Sequence, residues 1–311
     1  MSPAPETVPK IPAHANAVLV ACALVCSIAA AAALPLALLP RSAWWGWLLV
    51  PLALATNTLW ALIHEAIHGL LFPGRRLNDA AGRILSVCFG TPFRALRAGH
   101  LLHHRYSRTP RERAEVYDER RTPRAMAATA YYARLCGGLY AAECLGALAC
   151  LLPARTIALL ERRLDREDSV AGLLVRALRG PGALAETRAD CGAIVALAAL
   201  AISLYGRHAW MLAAAFAARA FLVSVFDNAW HYATPLDRPR EANSVAAAPA
   251  VQALLLNFNL HGAHHRHPRL PWSALPAALR RDGGAGEAGL FRALLRQFRG
   301  PIPLRDFSRR P

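Results

Sequence analysis

The sequence predicts an all-α integral membrane protein with four transmembrane helices, interfacial or re-entrant helices between them, and a histidine-rich cap on the cytoplasmic face. Three observations carry this expectation. The 311-residue chain is 55% hydrophobic, with a mean hydropathy of +0.25, too apolar for a water-soluble domain. Its formal charge of +16 comes from arginines that lie between apolar runs rather than among aromatics, which points to a membrane surface and away from nucleic acid. Eight of its 12 histidines fall in three short clusters: His64 and His68 in LIHEAIHG, His100, His103 and His104 in GHLLHHRY, and His261, His264 and His265 in NFNLHGAHHRH.

In chain order, residues 1–14 are polar and proline-rich and are expected to form a mobile tail ahead of a membrane domain over 15–275. The apolar run 15–39 is too long for the core of a signal peptide and suits a retained first span. Arg41 and the cluster Trp44, Trp45 and Trp47 mark an interfacial loop. A second span over 43–63 is expected to continue as helix to Phe72, with His64 and His68 on its emerging end. Residues 73–125 hold twelve arginines and the second histidine cluster, so the positive-inside rule makes this segment cytoplasmic. Within it, 80–96 is apolar but short and broken by Gly90 and Pro92, the pattern of an interfacial element.

Residues 126–152 are long enough to cross. A single crossing would put the seven arginines of 153–188 outside, so charge parity predicts a re-entrant or in-plane element bent at Gly137 and Gly138. Residues 190–206 and 208–228 form a last hairpin with Arg207 and His208 at its outer turn, returning the chain to the cytoplasm before the third cluster. Residues 276–311 read as a cytoplasmic tail with an amphipathic helix near Leu290–Phe298. The seven cysteines include no Cys-x-x-Cys pair and are expected to be small buried residues rather than ligands.

The histidine spacing carries the chemistry. Positions i, i+3 and i+4 share one helix face, so each triplet aims its imidazoles in one direction. A His-x-x-His-His pattern is expected about 0.02 times by chance in such a chain, and it occurs twice. Imidazole suits iron, zinc, copper or nickel, so ligand type alone leaves the metal open.

This order of boxes, with apolar hairpins between them over roughly residues 45–275, resembles the membrane fatty acid desaturase and hydroxylase superfamily, whose pattern carotenoid ketolases and hydroxylases share. The resemblance implies a centre of two iron ions held almost wholly by histidine, with O2 as co-substrate and an unactivated carbon–hydrogen bond as target. It assigns His64, His68, His100, His103, His104, His261, His264 and His265 as ligands. By position on the last span it adds His231 in DNAWH as the ninth, with Asp227 or Asn228 holding a water or supporting a ligand. Nine ligands exceed what one mononuclear site takes, so two metals are needed. Glu65, Asn257, Asn259, Asp118, Asp237 and Glu241 are candidate acceptors for the outer ring nitrogens.

The implied substrate is an acyl lipid in a tunnel walled by small residues such as Ala213–Ala220, and acyl-chain desaturation is the favoured outcome. The chain contains no haem-attachment motif, dinucleotide fingerprint or ferredoxin-type cysteine run, so a separate electron donor, a ferredoxin or a cytochrome b5-like protein with its reductase, is implied. The setting is expected to be a bacterial inner membrane, with both termini and the metal site cytoplasmic. Carotenoid ketolation or hydroxylation and lipid hydroxylation would use the same site. HEAIH also satisfies the zinc-protease signature with Glu65 as base, a rival that leaves both triplets without a role. A non-enzymatic metal carrier would need polar residues along several spans, and these are scarce.

Overall fold

A computed structural model describes residues 9–284 and 289–307, so the first eight residues of the expected N-terminal tail lie outside the described residues. Five described helices are long and apolar enough to cross a bilayer: α1 (Ala13–Leu38), α2 (Ala43–His68), α5 (Arg124–Leu151), α8 (Pro181–His208) and α9 (Trp210–His231). At 26 residues, α1 and α2 are each about 39 Å long at about 1.5 Å per residue, more than the ~30 Å hydrocarbon core requires. The outer faces of α1, α5 and α8 leave Val25, Ile28, Leu145, Leu200 and Ile202 at least half exposed, an apolar surface suited to lipid as solvent. Cys22 and Cys26 lie on this exposed side of α1 and Cys136 is also exposed, so only Cys150 and Cys191 are the buried residues the sequence suggested.

Four of the five long helices are the expected spans. The other, α5, is interrupted where the sequence predicted a bend. Gly137 has φ +120°, and a Cβ there would lie 3.2 Å from that of Ala220, so glycine gives both the turn and the close approach to α9. The helix of the second span ends at His68 rather than Phe72, because Gly69 adopts a left-handed conformation (φ 75°) that closes it.

Between α2 and α5 the chain forms α3 (Arg75–Phe89) and α4 (Phe93–Tyr106), divided at Gly90–Pro92 where the interfacial segment is broken. Both pack on α2 through Leu62, Ile63, Ile67, Leu85, Phe89 and Phe93. The contact is close because Gly82 has no Cβ; one there would come within 2.8 Å of that of Ala66. Arg219, a half-buried charge within α9, donates to the carbonyls of Cys88 and Phe89 at the end of α3 and lies over the Phe89 and Tyr140 rings.

After α5, the shorter α6 (Ala154–Leu164) and α7 (Ala171–Leu178) pack together against α4 through Ala95, Ile157 and Leu178. Beyond α9 come α10 (Pro249–Leu254), α11 (His261–Arg266), α12 (Leu275–Arg281) and α13 (Leu290–Arg296). The C-terminal segment is stitched to the bundle. Its β2 (Ile302–Pro303) pairs in parallel with β1 (Val116–Tyr117). The buried Gln297 donates to Val225 O at 2.9 Å and accepts from Asn228 Nδ2 at 2.8 Å, while Tyr131 Oη donates to its carbonyl at 2.7 Å.

Candidate metal centre

Nine histidines converge at one end of the bundle and divide into two groups. His64, His68, His100, His104 and His264 form one; His103, His231, His261 and His265 form the other, and the ring nitrogens within each lie within 4.8 Å of one another. Helix geometry explains the division. At about 100° per residue, i and i+4 point nearly together while i+3 falls well to one side. On α4 the pair His100/His104 therefore faces the first group and His103 turns to the second. On α11 the pair His261/His265 faces the second group and His264 turns to the first. The two triplets thus interlock, α2 completing one group and the end of α9 the other.

The spacing of the nitrogens tests whether a metal fits. In the second group the Nε2 atoms form a closed ring: His103 to His231 3.0 Å, His231 to His261 3.2 Å, His261 to His265 3.1 Å and His265 to His103 3.3 Å. In the first group His68–His100, His100–His104, His104–His264 and His264–His64 are each 3.0 Å. An imidazole Nε2 carries one proton or one lone pair along a single direction, so it cannot make two ordinary hydrogen bonds to neighbours on either side. Nitrogens about 2.1 Å from a shared cation would lie about 3.0 to 3.4 Å apart, the spacing observed in both groups. The geometry fits a metal and does not fit a hydrogen-bond network.

Electrostatics point the same way. Burial, and then the neighbouring imidazoles, hold His100, His261 and His264 well below the usual imidazole pKa and lower His104 as well. Burial, followed by His103, brings His265 down to about 3. These rings are neutral near pH 7, the form that offers a lone pair to a metal. His103 is the exception: burial acts to lower its pKa, but the Glu112 carboxylate outweighs it and raises it.

Glu112 was not among the acceptors the sequence suggested, yet it makes the shortest outer contact. His103 Nδ1 lies 2.7 Å from its Oε1. His265 Nδ1 lies 3.0 Å from Pro239 O, and His231 Nδ1 lies 3.4 Å from Ser107 Oγ. Such contacts take the outer N–H and leave Nε2 to face the group. The E112Q exchange keeps the shape but removes the charge. It is expected to weaken metal binding about 10- to 100-fold, read by chelator competition; unchanged affinity would remove Glu112 from the centre.

Most of the other suggested acceptors are engaged elsewhere. Asn228 Nδ2 donates to Tyr131 Oη (3.0 Å) and Gln297, so it does not reach the imidazoles. Asn257 Nδ2 donates to Trp272 O and its Oδ1 accepts from Gln252 Nε2, whereas Asn259 Nδ2 donates to Val245 O and its buried Oδ1 has no hydrogen-bond partner among the described residues. Asp118 accepts from Arg120 N and pairs with Arg121; Asp237 and Glu241 make no side-chain contact with an imidazole among the described residues. Asp227 faces the cavity that His103 lines.

Glu65 is buried and accepts from Trp272 N at 3.1 Å, while Trp272 Nε1 donates to Asn16 on α1. With Oε1 4.0 Å from His64 Nδ1, it braces the α2 end. That role, and the gathering of His64 and His68 with three further imidazoles, leaves the zinc-protease arrangement unsupported.

A cavity of about 760 Å³ opens onto His100 and His103. Leu96, Ile157, Leu160, Leu174, Val175 and Leu178 form an apolar wall; Arg134, Glu143 and Asp227 add polar groups. The expected wall over Ala213–Ala220 is not part of it. The cavity instead lies among α4, α5, α6 and α7, because the arginine-rich 153–188 stretch folds back as two amphipathic helices with apolar faces turned inward.

An apolar helical bundle ending in two imidazole groups defines a membrane protein able to hold metal through histidine. Residues 42–292, most of the chain, match the fatty acid desaturase family, and the chain belongs to that family of membrane oxidoreductases. A comparison with individual curated proteins finds no match.

Proposed function

We propose that this protein is an O2-dependent oxidoreductase with two iron ions that desaturates a fatty acyl chain, drawing electrons from a separate ferredoxin or cytochrome b5-like donor. The observation that carries the proposal is the cavity with an apolar wall that reaches His100 and His103, of a size suited to a long apolar ligand. One iron would be held by His64, His68, His100, His104 and His264, the other by His103, His231, His261 and His265. The pair would supply O2 activation and removal of hydrogen from an unactivated carbon–hydrogen bond.

The chain's own residues then do the positioning. Leu96, Ile157 and Leu178 hold the acyl chain and exclude water, Glu112 keeps the His103 proton on Nδ1, and Trp60, whose ring lies 6.2 Å from that of His100, closes the cavity at the imidazoles. The arginine-rich segments support a cytoplasmic site and termini in a bacterial inner membrane, with α5 entering and leaving on that side. The functional unit would span 15–275, flanked by 1–14 and 276–311.

Glu143 and Asp227 favour a second reading: two carboxyl groups facing the cavity could accept hydrogen bonds from an oxygenated substrate, which suits lipid hydroxylation or carotenoid ketolation or hydroxylation. Expression in a host without desaturases but supplied with carotenoid precursors separates the two. New acyl unsaturation supports desaturation, altered pigment or hydroxylated lipid supports the alternative, and neither change in iron-loaded protein overturns both. Cavity shape provides a further check. Gly146 lines the cavity, with open space where a Cβ would stand. Gly146→Leu is expected to cut turnover of long chains about tenfold or more relative to short ones, measured by product chain length.

A further inference from the structure

A second cavity, of about 550 Å³, lies on the far side of Tyr117, a residue it shares with the cavity at the imidazoles. Among the described residues, Arg124, Arg296, Arg299 and Arg305 line it together with the acid Asp306. We propose that this pocket binds a phosphate group.

The pocket is built rather than incidental. The β1–β2 pairing forms part of its wall, and Gly300, at φ 93°, turns the chain so that its carbonyl accepts from Tyr232 Oη at 2.8 Å. Arg296 donates to the Tyr232 carbonyl and lies 5.7 Å from that ring's centroid, which fixes one guanidinium at the pocket wall. Arg305 is 64% exposed and makes long ion pairs with Glu119 at 3.8 Å and Asp306 at 3.9 Å. Among the described residues, no carboxylate lies within ion-pair distance of Arg124 or Arg299, and both are exposed. Guanidinium groups around a concavity suit the several oxygens of a phosphate, which they can bind in pairs.

The concavity decides between a small anion and an acidic protein. A protein partner covers about 800 Å² of surface, whereas the arginines here converge on one small hollow. The phosphate could come from a phospholipid headgroup or from a soluble phosphate ester. Phe291, Leu295 and Phe298 are exposed close by, as expected of a segment lying at a membrane surface beside lipid headgroups. Occupancy would also reach the imidazoles, because Tyr232 and Ala233 of the pocket directly follow His231. The phosphate site itself does not depend on acyl desaturation being the reaction.

The test is titration of the full-length, iron-loaded protein in neutral detergent with inorganic pyrophosphate, beside the R124A/R299A variant and the milder R305Q. Wild-type protein is expected to bind, and R124A/R299A to bind at least tenfold more weakly at unchanged iron content. Should that variant fail to fold, R305Q carries the test with an expected loss of severalfold. Repeating the titration in nanodiscs identifies the source: loss of pyrophosphate binding in phosphatidylglycerol but not phosphatidylcholine discs indicates a lipid headgroup, and retention in both indicates a soluble ester. Absence of wild-type binding, or equal binding by the variants, overturns the proposal. Wild-type protein that ignores pyrophosphate, but whose reduction by an acidic carrier protein is slowed by R124A/R299A, would make the pocket a protein-docking surface instead.

Discussion

Replacing His231 with alanine is expected to lower bound iron from about two ions per chain to about one and to reduce turnover about 100-fold or more. The reasoning is geometric. His231 Nε2 lies 3.0 Å from that of His103 and 3.2 Å from that of His261, so it forms one corner of a four-nitrogen ring. Removing it leaves three donors and breaks the ring, while the five-nitrogen group around His264 is untouched. His264→Ala leaves four donors in the first group, so it should weaken that group's hold on its metal less severely and spare the second. Iron analysis and single-turnover assays on both variants provide the check. A His231→Ala protein with normal iron and activity would exclude His231 from the centre and leave an eight-histidine core.

The second large effect is on stability. Glu115→Ala is expected to destabilise the folded protein by about 3–5 kcal/mol, because it leaves a buried guanidinium without its counter-charge. Arg108 and Glu115 are 1% and 2% exposed, and Arg108 Nη1 reaches the two carboxylate oxygens at 2.7 and 2.9 Å. The pair also grips the chain just after His231. Glu115 Oε1 accepts from Ala233 N at 3.1 Å, and Arg108 Nη2 donates to Thr234 O at 2.7 Å. Loss of this knot should loosen the end of α9, so bound iron should fall along with the denaturation midpoint in detergent. A change below about 1 kcal/mol would show that the pair adds little beyond its own desolvation cost.

These contacts also show what the sequence could and could not reveal. Eight of the nine imidazoles were legible because helical spacing aims them, His231 only through the family resemblance, and the four expected spans because hydropathy marks them. Glu112 was not, since it follows the second histidine cluster in an arginine-rich loop where a lone acid reads as solvated. Only the turn that bridges Ser107 to Glu112 brings it back to His103. The same holds for Arg108, which hides among twelve arginines that the charge rule explains without it. The apolar wall was misplaced because Ala213–Ala220 reads as lining, whereas the leucines of α6 and α7 are diluted by charged neighbours. Asn228 looked available to a metal only until Gln297, far along the chain, was seen to hold it.

The central claim is that two imidazole groups hold two iron ions. It is tested most directly by Mössbauer spectroscopy, with metal analysis, on protein purified from cells grown with 57Fe. The account predicts about two irons per chain, in two nitrogen-rich environments of similar intensity. One zinc per chain, or a single iron that His231→Ala and His264→Ala diminish alike, would contradict it.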